Sequence, residues 1–245
     1  MEAKGEMVFP LAQHIGRPAK AIVKRGDPVL VGQRIAEADG FVSAHIISSC
    51  SGKVKAIEKR RTISGALLEC IVIDNDGLYT RAEGFGEKQD ISGITKEEIL
   101  HWVKEAGIIG LGGAGFPTDV KVVPKNLSEI DTLLINGAEC EPYLTTDNRE
   151  FLECPDSILA GVEACLTYLG IPKAMICIED NKPAAIDLMQ RKTAKNPNIT
   201  VKVLESRYPQ GAQNILIKNA TGRIVPRGAR HTSVGVMMLN VTTVS

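Results

Sequence analysis

Residues 155–178, PDSILAGVEACLTYLGIPKAMICI, decide the fold. A proline opens the stretch and Gly170 stands just past a helical period, the usual asymmetry of helix ends. Ile158, Val162, Cys165, Leu166 and Leu169 recur at helical spacing, and the apolar run Ala174 to Ile178 that follows has the length of a strand. The alternation extends both ways: Leu133-Leu134-Ile135 reads as a short buried strand, Lys182 to about Ala194 as a helix, and Thr200 to Leu204 as another strand. Strands alternating with helices predict a parallel sheet with helices packed on its faces. Further upstream, Thr95 with Glu98 three residues on has the capping-box spacing. It opens a helix whose predicted apolar face is Ile99, Trp102, Val103 and Ala106.

The first third has a different rhythm. Short apolar runs at Lys20 to Val23, Val29 to Val31, Ile46 to Ile47, Gly52 to Ile57 and Leu67 to Ile73 are separated by turn signals such as Arg25-Gly26-Asp27-Pro28 and Asp39-Gly40. Even spacing of short strands predicts a small sandwich or barrel. The expected organisation is a β domain over residues 1–82, a polar linker over 83–94, and an α/β domain over 95–245.

Composition narrows the function classes. The chain has 245 residues, with 29 basic and 29 acidic side chains, so it lacks the basic footprint of a nucleic-acid binder. Cys50, Cys70, Cys140, Cys154, Cys165 and Cys177 form no tight disulfide framework. The N-terminal residues lack the apolar core of a signal peptide, and no apolar run has bilayer length. A reducing, cytoplasmic setting with free thiols is the expectation. The four histidines, His14, His45, His101 and His231, have no metal-ligand spacing, and no metal site is assigned.

Two segments carry chemistry. Gly110-Leu111-Gly112-Gly113-Ala114-Gly115-Phe116-Pro117 places four glycines within six residues. Such a loop lets backbone approach a flat ring or a phosphate and converge its N–H groups, and Pro117-Thr118 is fit to open a short helix. It is not a Walker loop, since no Gly-Lys-Ser/Thr follows, and it follows a predicted helix rather than the strand a dinucleotide fingerprint requires. The second segment is the acidic turn Asn136-Gly137-Ala138-Glu139-Cys140-Glu141-Pro142. Cys140 inside it reads as a structural thiol.

Together these segments resemble the flavin-carrying, NADH-oxidising subunit of respiratory complex I. The wording is closer to the RnfC family, the C subunit of the Rnf ferredoxin:NAD oxidoreductase, through Phe9-Pro10-Leu11-Ala12-Gln13-His14-Ile15-Gly16, the acidic turn with Tyr143, and Arg207-Tyr208-Pro209-Gln210-Gly211-Ala212. The resemblance covers nearly the whole chain and implies a barrel-sandwich domain followed by a Rossmann-like FMN-binding α/β domain. The N-terminal pattern Gly26 to Gln33, Ala36 to Gly40 and Ser51 to Val54 also resembles lipoyl and biotinyl carriers. Gly40 stands where their acceptor lysine would be, which disfavours a swinging arm and leaves a docking or stabilising module.

By the same resemblance, Gly110, Gly112 and Gly113 lie against the flavin ring and ribityl chain, Lys121 supplies a cation near the phosphate, and Asn136 and Glu139 contact the ribityl chain and ring edge. Asn240, Val241 and Thr243 match a phosphate segment, and Tyr208 and Gly211 join the cofactor set. Phe116 would stack on the adenine of NADH, with Glu141 and Tyr208 near the nicotinamide half and Glu141 as the catalytic candidate. Against the complex I subunit, Leu111 replaces an arginine, Gly211-Ala212-Gln213 replaces Gly-Glu-Glu, and Leu239 and Thr242 replace an Asn and a Glu of the phosphate segment. Fewer acids therefore line the dinucleotide side.

The resemblance implies FMN and NAD(H) as cofactors, and iron–sulfur clusters in a part of the family that lies beyond this sequence. The chain has no Cys-x-x-Cys and ends soon after the phosphate segment, so a fragment of a longer protein is expected. Implied partners are NADH, the other subunits of the Rnf membrane complex and, indirectly, ferredoxin, with the chain peripheral on the cytoplasmic side of the membrane. Two other readings stay open: an electron-transfer relative of cobalamin or proline reductases, and a docking module that has lost its ligand.

Overall fold

A computed structural model describes residues 4–87, 89–91 and 93–245. Residues 1–3 of the expected first domain, and positions 88 and 92 of the expected linker, lie outside the described residues. The chain forms two compact units, Met1–Ile109 with Ala114–Lys121, and Gly110–Gly113 with Val122–Ser245. Compactness thus divides the chain at other points than residues 83–94.

The first unit is built on seven strands: β1 (Glu6–Pro10), β2 (Lys20–Ala21), β3 (Pro28–Val29), β4 (Arg34–Glu37), β5 (Ile46–Ile47), β6 (Gly52–Arg61) and β7 (Leu67–Asn75). They form two antiparallel sheets, ordered β1-β7-β6-β3 and β2-β4-β5. Phe9, Val29, Ile35, Ile46, Val54, Ile71 and Ile73 fill the core between them, which agrees with the small sandwich or barrel expected from the spacing and the barrel-sandwich implied by the resemblance. Two strands lie outside the predicted apolar runs. β1 is a partner for β7, and β4 is only four residues long.

Helix α1 (Lys96–Glu105) belongs to this unit, with both halves of the Thr95–Glu98 capping box in place. Its expected apolar face is a correction. No residue of α1 is buried; Ile99 and Val103 are half-buried and Trp102 and Ala106 exposed. The helix is held instead by polar contacts near its C-terminal end, where Glu105 pairs with Arg34 and lies 3.7 Å from His45 Nε2. Helix α2 (Thr118–Lys121) is the short helix that Pro117-Thr118 opens.

The second unit is doubly wound. Four strands, β8 (Thr132–Gly137), β9 (Ala174–Glu179), β10 (Ile199–Leu204) and β11 (Val236–Asn240), make a wholly parallel sheet in the order β10-β9-β8-β11. Between β8 and β9 lie α3 (Thr146–Glu153) and α4 (Pro155–Leu169); α5 (Pro183–Thr193) leads to β10, α6 (Gln213–Thr221) leads to β11, and α7 (Val241–Val244) follows it. Alternating side chains cover the two faces. Leu134, Cys177, Val236 and Met238 pack on Leu216, Ile217 and Ala220 of α6, while on the opposite face Gly137 fits under the Phe151 ring of α3. All six cysteines are free. Burial pushes the Cys165 thiol up to about 11 and the Cys177 thiol up to about 12.

Gly161 on α4 faces the C-terminal turn, where a methyl group would collide with the Val244 carbonyl. Gly161→Ala should therefore lower stability by about 1–3 kcal/mol, the usual cost of overpacking. The urea midpoint measures it, and an unchanged midpoint would mean that α7 does not pack on α4.

Candidate functional site

In an open parallel sheet, ligands bind outside the carboxyl ends of the strands, where the strand order reverses. Here the chain builds β8, adds β9 and β10 on one side, then returns to lay β11 on the other side of β8. The reversal falls between β8 and β11, and Asn136 and Asn240 are register partners at their carboxyl ends.

Asn240 caps α7, its Oδ1 accepting the Thr242 N–H at 3.0 Å. Its amide group donates to Asp147 Oδ2 at 2.8 Å. The Thr242 hydroxyl donates to the other oxygen of Asp147 at 3.0 Å. Asp147 lies in the first turn of α3, so one carboxylate ties the start of α3 to the end of β11. The glycine loop joins the same end: the Leu111 N–H donates to Thr243 Oγ1 at 3.0 Å. A Cβ on Gly112 would sit 3.2 Å from Asn240 Cβ, whereas Gly113 faces open space at φ +115°. Gly112 permits a close approach and Gly113 a left-handed backbone.

The acidic turn leaves β8 beside them. Asn136 Nδ2 donates to the Gly211 carbonyl at 3.1 Å and its Oδ1 accepts the Ala138 N–H at 3.1 Å. Gly211 is pressed against the turn, since a Cβ there would meet the Ala138 oxygen at 2.9 Å. Glu139 is 6% exposed. Its two oxygens accept the Asp147 and Asn148 N–H groups at 2.8 and 3.1 Å, satisfying otherwise orphaned donors at the start of α3. Lys182 Nζ lies 3.8 Å from the same carboxylate. Glu141, Tyr143 and Tyr208 are exposed, and Cys140 is half-buried.

Of the residues expected from the sequence, Gly110, Gly112, Gly113, Asn136, Glu139, Gly211, Asn240, Val241 and Thr243 belong to this end of the second unit. Val241 is fully buried and has only its backbone to offer a ligand. Glu141 and Tyr208 stand on the loops that follow β8 and β10. Phe116 and Lys121 belong to the first unit, where both are half-buried. In that unit the carbonyl of Gly115 accepts the Ile15 N–H at 3.2 Å, and a Cβ on Gly115 would lie 3.1 Å from the Gln13 oxygen. Gln13 to Ile15 are thus the bed of Gly115, in the later half of the glycine loop. Burial lowers the pKa of Lys121, which has no ion pair among the described residues, and the buried Thr118 hydroxyl of the same short helix has no hydrogen-bond partner among them. Among the described residues no group of three or more His, Cys, Asp or Glu side chains is placed to hold a metal ion.

Sequence reasoning misses Asp147, Thr242, Lys182 and Glu179. Asp147 sits in Thr145-Thr146-Asp147-Asn148, a run of helix-capping residue types, and that signal could have found it. Glu179, one charge ending an apolar strand, carries none.

The second unit is therefore a doubly wound, Rossmann-like α/β domain with its polar cluster at the topological switch point. A family model described as the Nuo51 FMN-binding domain matches residues 103–245, and another described as the RnfC barrel sandwich hybrid domain matches residues 1–78. The chain belongs to the Nuo51 FMN-binding domain family, preceded by an RnfC-type barrel sandwich. It is 42% identical over 238 residues to the C subunit of the proton-translocating ferredoxin:NAD(+) oxidoreductase complex of Clostridium ljungdahlii, covering 97% of this chain and 52% of that protein. The C subunit of the Na(+)-translocating ferredoxin:NAD(+) oxidoreductase complex of Acetobacterium woodii is 40% identical over 98% of this chain and 54% of its own length. The chain thus spans about half the length of these two relatives. An air-oxidized NAD+-reducing NiFe hydrogenase shares the fold over 61% of this chain and 29% of that one, with TM-score 0.50 and 23% identity.

Burial raises the pKa of Asp147 against the opposing hydrogen bonds from Thr242 and Asn240. The unfolded carboxyl then ionises at lower pH than the folded one, so its contribution is full below the unfolded pKa and lost as pH rises through the folded value. Asp147→Asn should remove this component. The difference in urea midpoint between wild type and variant is expected to change from about pH 4 upward, and a pH-independent difference would contradict the assignment.

Proposed function

We propose that the carboxyl end of the β8–β11 pair holds FMN and that the chain passes electrons from NADH to the flavin, or the reverse, as the NADH-oxidising module of an ion-translocating ferredoxin:NAD oxidoreductase. One observation carries the reading: Asn136, Asn240, Thr243 and the side-chain-free Gly112-Gly113 backbone meet at the topological switch point of a chain in an FMN-binding family. The residues present fit the group. Neutral amides and hydroxyls suit ribityl hydroxyls and the polar edge of a flavin, and a glycine surface leaves room for a flat ring.

Glu139 serves the ribityl chain through lone pairs its capping bonds leave over, and Gly211 shapes the turn from behind. Asn240, Val241 and Thr243 offer neutral donors to the phosphate. Lys121, half-buried and without an ion pair among the described residues, fits an anionic partner, as does the unpartnered Thr118 hydroxyl. Exposed Tyr208 and Glu141 orient the nicotinamide half of NADH, with Glu141 the catalytic group, and Phe116 stacks on its adenine. Bound FMN would supply hydride acceptance and single-electron release. The names of the relatives support assembly with other subunits of an ion-translocating complex; in this reading the chain is peripheral on the cytoplasmic side of a membrane, with NADH and ferredoxin as terminal partners and iron–sulfur clusters as onward carriers. Among the described residues no helix is long and apolar enough to cross a bilayer.

Reconstitution tests the reading. The chain should bind FMN and its visible band should bleach on anaerobic addition of NADH. Lys121→Ala should weaken FMN binding roughly 10- to 100-fold, the loss of one charge-assisted contact, and Gly112→Val should abolish it. A chain that takes up no FMN, or a Gly112→Val variant that binds as wild type, would sink the proposal.

A further inference from the structure

Glu179 ends β9 at 1% exposure. One of its oxygens, Oε1, has no hydrogen-bond partner among the described residues. A buried carboxyl with an orphaned oxygen is costly to keep, and an apolar residue at the end of this strand would avoid that cost. What Glu179 provides is an acceptor. Its Oε2 takes the N–H of Glu139 at 3.1 Å, a donor that would otherwise be buried unpaired.

From there the contacts run on without a gap. The Glu139 carboxylate accepts the Asp147 and Asn148 N–H groups, and the Asp147 carboxylate accepts the Asn240 amide and the Thr242 hydroxyl. Three acids thus link the carboxyl end of β9, the turn after β8, the start of α3 and the segment after β11. Each is an acceptor-only group facing donors when ionised. Lys182, beside Glu139, is the one cation in an ion pair with any of the three among the described residues. Asp180 and Arg207 also act on Glu179, the first through its charge and the second through its backbone N–H.

We propose that Glu179 is a positioning residue for the ligand-binding end of the sheet, setting the acidic turn through the Glu139 amide and, through Glu139 and Asp147, the Asn240–Thr243 segment. The relay rests on the reading that this end holds the flavin only for its functional consequence; its structural content stands on the hydrogen bonds themselves.

Amide hydrogen exchange on the flavin-free chain tests it. Glu179→Ala should speed exchange about tenfold both in residues 138–148 and in residues 241–244, while α6 and the β1–β7 strands keep wild-type rates. Glu179→Gln keeps an oxygen for the Glu139 N–H and should restore protection in both segments. If the alanine variant does not fold, Glu179→Asp, which draws the carboxylate back by one methylene, should loosen the same two segments together. Loosening of the acidic turn alone, with 241–244 unchanged, would overturn the relay, as would a glutamine variant no better than alanine. In parallel, FMN affinity measured by flavin fluorescence should fall about tenfold in the alanine variant and stay within about twofold in the glutamine variant. A wild-type chain that binds no FMN would defeat the functional reading, and the exchange pattern would still decide the relay.

Discussion

β11 comes last among the strands, yet it pairs with β8, the first strand of its sheet. That parallel pairing closes the sheet on the side that β9 and β10 leave open, and it brings the ends of two distant segments into register. The contacts of the Asn240–Thr243 segment depend on it. Asn240 reaches Asp147, Thr243 receives the Leu111 N–H and Gly112 lies on Asn240 only because β11 is in this position. The pairing is long-range and parallel, and such contacts are stabilised by burial on both faces. Val236, Met237, Met238 and Leu239 are all buried.

Much of this sheet is legible in the residues alone. The helix at 155–169 begins and ends where Pro155 and Gly170 mark it, and β8, β9, β10 and α5 lie within a residue or two of their periodic signals. β11 is the strand that local pattern leaves out, although Val234 to Val241 is one of the longest apolar runs. Its partner stands about a hundred residues earlier, and no local pattern names a partner. The face of α1 differs from expectation for a related reason. Helical spacing of Ile99, Trp102 and Val103 shows that a face exists, while burial depends on what packs there, and the helix is tied down by Glu105 instead.

Within the site, the glycines and asparagines are legible because their chemistry is local: backbone freedom, close approach, a polar amide. The buried acids are not. Glu139 reads from sequence as a ligand group, and its carboxylate also caps α3. Asp147 and Glu179 act through partners 93 and 40 residues distant in sequence, so their roles emerge only when β8, β9 and β11 lie side by side. The same separation explains the glycine loop. Gly110–Gly113 go with the α/β unit and Ala114–Lys121 with the barrel unit, so one continuous motif serves two structural bodies, which its sequence alone does not divulge.

Whether the carboxyl end of the β8–β11 pair is the flavin site is decided by an FMN titration of the isotope-labelled chain followed by NMR. Amide shifts concentrated at Gly110–Gly113, Asn136 to Glu139 and Asn240 to Thr243 are the predicted result. Saturable binding with those amides unmoved and the shifts confined to the barrel strands would contradict it.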